Sequence, residues 1–411
     1  MTDKYDPGMK KFFLISQVFY PDEVSTAGLF TSLCSYVAEE QIEVEVWCAH
    51  PSYTETEKQP GTTIYQGIEI HYLPSTHFHK RILIGRLINY LTFMVSVIVK
   101  LLITKDKTPI FTHTTPPSLG IVISCICSMK RRKFVYLLLD IFPDGLIRLG
   151  KVSAKSPLIR LWRRMNVGSL KRSYKIIVIG RDMQEWIGSV YRQGIQKMEY
   201  IPLWQDDQLI SPGDYYKNAL VRKYGLQDKF VVQYSGNMGL WNEMECIAQV
   251  VNRVHGDVFF LFVGGGMRER EFYNSLDDDT HKDVLLLPFQ PIKQLNESLT
   301  ACHVGLVSLK EGLEGMAVPS KLYGIMAAGI PVLALAPLDS EIARVVEEEN
   351  CGMVVLPTDI EALVQAILKL KSDEQLREEM GENGRKAFLQ KYTTSIQARK
   401  YISLLDSIVE Q

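Results

Sequence analysis

The 411-residue chain is too long for one ordinary core and reads as two or three domains. Hydrophobic residues make up 46% and charged residues 23%, which excludes a disordered, collagenous or low-complexity chain. The net charge of −1 conceals a division: residues 1–200 carry 26 Lys and Arg against 17 Asp and Glu, and the remainder 20 against 30, which points one half toward an anionic partner, the alternative being a chance distribution of solvated charge.

The polar start MTDKYDPGMKK precedes a short apolar run, Phe12–Ile15, which reads as a first buried strand and not as a signal peptide. Strand-length runs recur at Val44–Cys48, Ile68–Tyr72, Val135–Leu139 and Ile176–Ile179, with amphipathic helical stretches such as Ala27–Glu39 between them. This alternation is the pattern of a parallel sheet covered on both faces. Leu87–Ile103 is strongly apolar, but it contains Asn89 and Lys100 and falls short of the ~20 clean residues of a span. It reads as a covering helix. Basic residues crowd around it: Lys80, Arg81, Arg86, Lys130–Lys133, Arg160, Arg163, Arg164, Lys171 and Arg172. An anionic membrane surface is therefore an expected partner, with the protein cytoplasmic and peripheral at the inner face of the cytoplasmic membrane. No nucleic acid partner is expected. The seven cysteines, including Cys125 and Cys127, read as reduced and buried, and His77 and His79 lack a second pair at metal-ligand spacing.

After the polar segment Trp204–Asp214 the strand series restarts at Phe230–Tyr234, Val258–Val263, Val284–Pro288, Val304–Val307 and Pro331–Ala334. The expected fold is α/β, with two Rossmann-like doubly wound domains facing each other across a cleft. Residues 1–205 form the first and 206–385 the second, while 386–411 form a helix packing back on the first.

Chemistry concentrates in Glu314–Ala334, EGMAVPSKLYGIMAAGIPVLA. Pro319 and Ser320 open a short helix, with Ser320 offering a capping oxygen, and Gly329 closes it before a strand. Unpaired N–H groups at a helix start suit a phosphate, and Lys321 adds a full charge. An ordinary buried helix with a surface lysine reads equally well from the residues alone.

The stretch resembles the donor-binding signature of the retaining glycosyltransferases of family four, in the branch of colanic-acid-type and O-antigen sugar transferases, where P-S-K-L-Y-x-x-x-A-x-G-x-P recurs. The resemblance implies the two-domain GT-B fold. It places Glu314, Val318, Pro319, Ser320, Lys321 and Leu322 at the sugar and diphosphate of a nucleotide sugar, with Lys321 acting in catalysis. In VVQYSGNMGLWN it places Gly236, Asn237 and Gly239 at the donor. Gly264 and Gly265 of FFLFVGGG follow, with Phe289 beside the base. In the first domain, YPDEVSTAG contributes Thr26 and Gly28. Arg181, at the end of a strand, can meet phosphate. Asp140 and Asp144 lie in LDIFPDGLIRLG, where Pro143 argues for a turn. Either orients or deprotonates an acceptor hydroxyl, or they are a helix cap and a surface acid.

The chain departs from the family pattern. Two glutamates expected across the signature fall on Met316 and Gly324, so Glu314 or Glu311 is the substitute for the ribose, unless both are solvated loop charges. Asn237 and Asn242 stand where an Arg and a Lys are usual. The implied reaction is retaining transfer of a hexose from a UDP-hexose, UDP-glucose first, to a hydroxyl of a lipid-linked or polysaccharide acceptor of the cell envelope. No metal or other cofactor is required. The alternatives are a nucleotide-sugar epimerase or hydrolase on the same fold, and a nucleotide-binding protein without turnover.

Overall fold

In the computed structural model, residues 10–51, 61–76, 78, 83–192 and 195–410 are described. His77, His79, Lys80 and Arg81 lie outside them, as does most of the polar start. The Val- and Ile-rich runs of the first half form β1 (Lys11–Ile15), β2 (Glu43–Ala49), β3 (Thr62–Tyr65), β4 (Ile68–Leu73), β5 (Ile110–His113), β6 (Phe134–Leu138), β7 (Lys175–Val178) and β8 (Met198–Tyr200). They lie in the order β3-β4-β2-β1-β5-β6-β7-β8, and every pair is parallel except the edge pair β3–β4. All residues of β5 and β6 are buried, as a sheet covered on both faces requires.

The second half forms β9 (Val231–Asn237), β10 (Phe259–Gly265), β11 (Val284–Leu287), β12 (Val304–Ser308), β13 (Val332–Leu335) and β14 (Gly352–Val355). Their order is β11-β10-β9-β12-β13-β14, all parallel. Two Rossmann-like domains result.

Crossovers in the first domain are α1 (Ser25–Glu39), α2 (Leu83–Ile103), α3 (Leu119–Lys130), α4 (Asp144–Arg148), α5 (Pro157–Arg172) and α6 (Arg181–Trp186). α2 packs on the sheet through Phe93, Val97 and Leu101, all buried. By length and composition Ile84–Ile103 is long and apolar enough to cross a membrane, contrary to the expectation from the sequence. Its Asn89 is tied to the main chain of Phe78 and to the Thr76 hydroxyl, which anchors the helix to its own domain. None of the seven cysteines is paired; six are buried, and Cys125 is exposed on α3. The expectation of uniform burial fails there because α3 covers the sheet with only one of its faces.

The last helix, Thr394–Val409, packs on α1, and its Tyr401 ring meets Phe12, Phe111 and Trp204. The chain thus passes between domains twice, at Gln205 and at Tyr392–Thr394, and the two crossings bond to each other: the Gln205 N–H donates to Tyr392 O and the Thr394 N–H to Gln205 O.

Candidate active site

In open parallel α/β sheets, ligands collect beyond the carboxyl ends of the strands. Here both sets of carboxyl ends face one cavity of about 1710 Å³. Tyr20, Ser25, Thr26, Gly28 and Asp140 line it from the first domain, and Gly236, Asn237, Phe289 and residues 317–321 from the second.

The Lys321–Ala327 helix starts at the cavity wall. Gly329, with φ of 69°, adopts the left-handed conformation that ends a helix, as its sequence position implies. Ser320 does not cap the helix with its side chain. Its hydroxyl is instead 3.2 Å from the Ser25 hydroxyl of the opposite domain, so both face the cleft. Lys321 extends toward β9. Its Nζ lies 3.5 Å from the centroid of the Tyr234 ring, buried and without a hydrogen-bond partner among the described residues. Burial alone lowers its pKa from 10.5 to about 7. Tyr234 is held in turn by donating from its hydroxyl to Asn237 O at 2.9 Å.

Gly236 opens the space beside this ammonium. Its φ of 122° suits glycine, and a Cβ there would lie 3.4 Å from Lys321 Cε. Gly264, with φ of 138°, is pressed against the main chain of Gly236, so its role is to let β9 and β10 end close together. Gly239, Gly264 and Gly265 do not line the cavity; a Cβ at Gly265 would lie 2.8 Å from Glu269 Oε2 and 3.9 Å from the Phe289 ring. Leu322 is fully buried, and its N–H donates to Pro319 O, so it packs the core and does not face a donor. Val318, Pro319 and Ser320 do face the cavity.

The two aspartates separate. Asp140 lines the cavity, and desolvation raises its carboxyl from 3.8 to about 6. The Asp140 and Leu139 N–H groups donate to the Thr114 hydroxyl, and the next residue, Ile141, donates across the cleft to Met316 O at 2.9 Å. Asp144 is buried elsewhere, accepting from the Tyr191 hydroxyl and paired with Arg163 at 3.0 Å. An acceptor role for Asp144 is therefore excluded by position: Pro143 turns the chain, and Asp144 heads α4 away from the cavity.

Two further expected donor residues are engaged elsewhere. Arg181 does not face the cavity. Its guanidinium pairs with Glu341 at 3.1 Å and Glu348 at 2.7 Å of the second domain. Glu341 is fully buried and also accepts from the Tyr200 hydroxyl and the Arg181 N–H. Glu314 is bound by Arg148 at 2.8 Å and lies outside the cavity, so it is not a free ribose ligand. Both carboxylate–arginine sets join the domains. Single-chain spacing hid this, because each partner lies more than a hundred residues away.

Gln205, Tyr65 and Arg399 escape the sequence reading. Gln205 lines the cavity beside Gly324, and its Nε2 would be 4.0 Å from a Cβ placed there. The resemblance drawn from the sequence implies a glutamate at Gly324, so the carboxamide occupies the vicinity of that absent carboxylate. Tyr20 and Tyr65 stack at 3.6 Å on the first-domain wall, and Tyr65 comes from the short edge strand β3, whose sequence TTIY carries a weak signal. Arg399 enters from the last helix. Only the fold could bring it there.

Residues 217–387 match the family model described as Glycosyl transferases group 1. A probable glycosyltransferase of Pseudomonas aeruginosa, WbjE, is 29% identical over 236 residues, which cover 57% of this chain and 59% of that relative, less than two thirds of its length. Among solved structures, sucrose-phosphate synthase from Thermosynechococcus elongatus superposes with a TM-score of 0.76 at 16% identity, covering 98% of this chain and 99% of the other. HepE of Anabaena in complex with UDP-glucose superposes at 0.72 and 16%, covering 97% and 99%. The fold is GT-B. The group 1 match falls on the GT-B domain that holds Gly236, Phe289 and Lys321, and leaves the domain carrying Asp140 outside it.

Proposed function

We propose that the cleft moves a hexose from a UDP-hexose, such as UDP-glucose, to a hydroxyl of a lipid-linked or polysaccharide acceptor, with retention at the anomeric carbon. The observation carrying this reading is the buried, unpartnered Lys321 ammonium beside Gly236, in a cleft that also holds Asp140. A buried charge without a partner is costly to a folded protein, and a bound diphosphate would supply the partner. The group 1 match over the second domain, a relative named as a probable glycosyltransferase, and a similar fold solved with UDP-glucose support it.

In this reading the diphosphate sits at the start of the Lys321–Ala327 helix. Lys321 and main-chain N–H groups, and not a metal ion, meet its charge. The uridine lies toward Phe289, and Gln205 reaches the ribose. The acceptor oxygen bonds to the anomeric carbon on the face the diphosphate leaves. The carbon–oxygen bond to the diphosphate breaks with its electron pair, and the hydroxyl proton passes to Asp140. Fixed dipoles and Lys321 stabilise the charge developing on the leaving group.

A thermal-shift screen across UDP-, GDP-, ADP- and CMP-sugars tests the donor, since a ligand that binds only the folded chain raises its stability. UDP-hexoses should give the largest shift. Consumption of donor without acceptor at the full rate would replace transfer by hydrolysis or epimerisation, and no shift with any nucleotide sugar would remove the reading.

A further inference from the structure

The covering helices of the first domain do not present a polar outer face. α2 buries Phe93, Val97 and Leu101, yet its opposite side exposes Ile84, Leu87, Leu91, Val95, Val99 and Leu102, each between 48% and 70% accessible. Steps of three and four residues place these in one stripe along the helix. A water-facing stripe on a soluble domain is ordinarily polar. α3 packs beside α2, and α5 beside α3. α3 exposes Met129, and α5 exposes Leu158, Leu161 and Met165.

Charge on the same segment has one sign. Residues 83–172 hold sixteen Lys and Arg, three Asp and no Glu. None of the three acids faces outward: Asp106 is paired with Lys11 and Arg132, Asp140 lines the cleft, and Asp144 is buried with Tyr191 and Arg163. Arg86, Arg131, Arg160, Arg164 and Lys171 are exposed.

We propose that the outer face of α2, α3 and α5 lies in the plane of an anionic lipid bilayer, with the α2 stripe in the acyl–headgroup boundary and the arginines and lysines among the headgroups. Amphipathic helices dock this way, through apolar area and basic charge together. α2 does not cross the bilayer, because its other side is built into the sheet and Asn89 is bonded within the domain. α2 joins two parallel strands, so it runs antiparallel to them, and its amino end with Ile84, Arg86 and Leu87 stands at the sheet edge where the cleft opens. On the transfer reading above, the lipid surface then borders the acceptor side. The docking itself does not depend on that reading.

The test is flotation of the full chain with vesicles of phosphatidylcholine, alone or mixed with phosphatidylglycerol, together with a fluorophore on Cys125, the one cysteine exposed among the described residues. The chain should float with the anionic vesicles, bind phosphatidylcholine at least about tenfold more weakly, and lose affinity with salt. The Cys125 label should move to an apolar environment on binding. Leu91→Glu/Val95→Glu/Val99→Glu should abolish flotation without lowering Tm or UDP affinity, since all three side chains are exposed. Arg160→Ala/Arg164→Ala should weaken binding and flatten its salt dependence. Absence of flotation by the native chain, or flotation unchanged in the triple variant, overturns the proposal. A native chain that sediments as a dimer, and as a monomer in the triple variant with no vesicle binding in either, assigns the face to a second copy instead. UDP affinity, measured separately, distinguishes failure here from failure of the donor site.

Discussion

Lys321 Nζ sits 3.5 Å from the centroid of the Tyr234 ring and has no other polar partner among the described residues. The ring face offers partial compensation for a buried ammonium, and the pKa near 7 reflects the remainder. This is a site whose stability is spent on its function. Lys321→Met removes the buried charge, so at pH 6 it should raise the free energy of unfolding by at least about 1 kcal/mol while weakening UDP at least about tenfold. Because the folded pKa lies below that of the unfolded chain, the unfolded state binds more protons between about pH 7 and 10, and native stability rises with pH across that window. Urea unfolding at pH 6 and pH 9 checks the sign: the rise should shrink in the variant.

Asp140 behaves in the opposite sense. Its folded pKa of about 6 exceeds the ordinary 3.8, so the folded chain binds more protons between about pH 4 and 6 and loses stability as pH rises through that range. Asp140→Asn should remove this dependence. Turnover should fall below pH 6 in the native protein, where the carboxyl is protonated and cannot accept the acceptor proton. The variant should lose roughly 100-fold or more in kcat with UDP affinity within about threefold of native. Asp144→Asn should instead act on stability, since its carboxylate anchors Tyr191 and Arg163.

Gln205 should read the ribose. Gln205→Ala is expected to weaken UDP about 3–10-fold, the scale of one hydrogen bond, and to leave a dideoxyribose analogue of UDP unaffected. Equal loss for both ligands would confine Gln205 to the crossing between the domains, where it bonds to Tyr392 and Thr394, and away from the sugar.

Arg181 joins the domains. Arg181→Met leaves the buried Glu341 carboxylate with the Tyr200 hydroxyl and the main-chain N–H of residue 181, and should destabilise by about 1.5–3 kcal/mol in urea unfolding. UDP affinity should change less than about threefold. A tenfold loss of affinity at unchanged stability would return Arg181 to the phosphate.

The sequence carried the strand series, because runs such as Val231–Tyr234 and Val304–Val307 are continuous and apolar and suit a covered parallel sheet. It left out β3, β5, β8 and β14, which are three or four residues long, contain polar residues or glycine, and gain their order from neighbours already in the sheet. The Pro319–Gly329 segment was legible down to its left-handed glycine, since cap chemistry is local. Arg181, Glu314 and Asp144 were not. Each carries a charge whose partner is fixed by how the domains and helices meet, and no local spacing encodes Glu341, Arg148 or Arg163 as that partner. Ser320 illustrates the same limit at short range: its hydroxyl has a local use as a cap, and the opposite domain offers Ser25 instead.

A bound diphosphate meets the Lys321 ammonium in the proposed complex, and proton-linked calorimetry measures that encounter. At pH 8 the free lysine is largely neutral and the UDP phosphates are ionised. Titrations of UDP in buffers of different ionisation enthalpy should therefore show uptake of close to one proton by the native chain and none by Lys321→Met. UDP binding by both proteins with no proton uptake would mean that Lys321 does not meet the diphosphate.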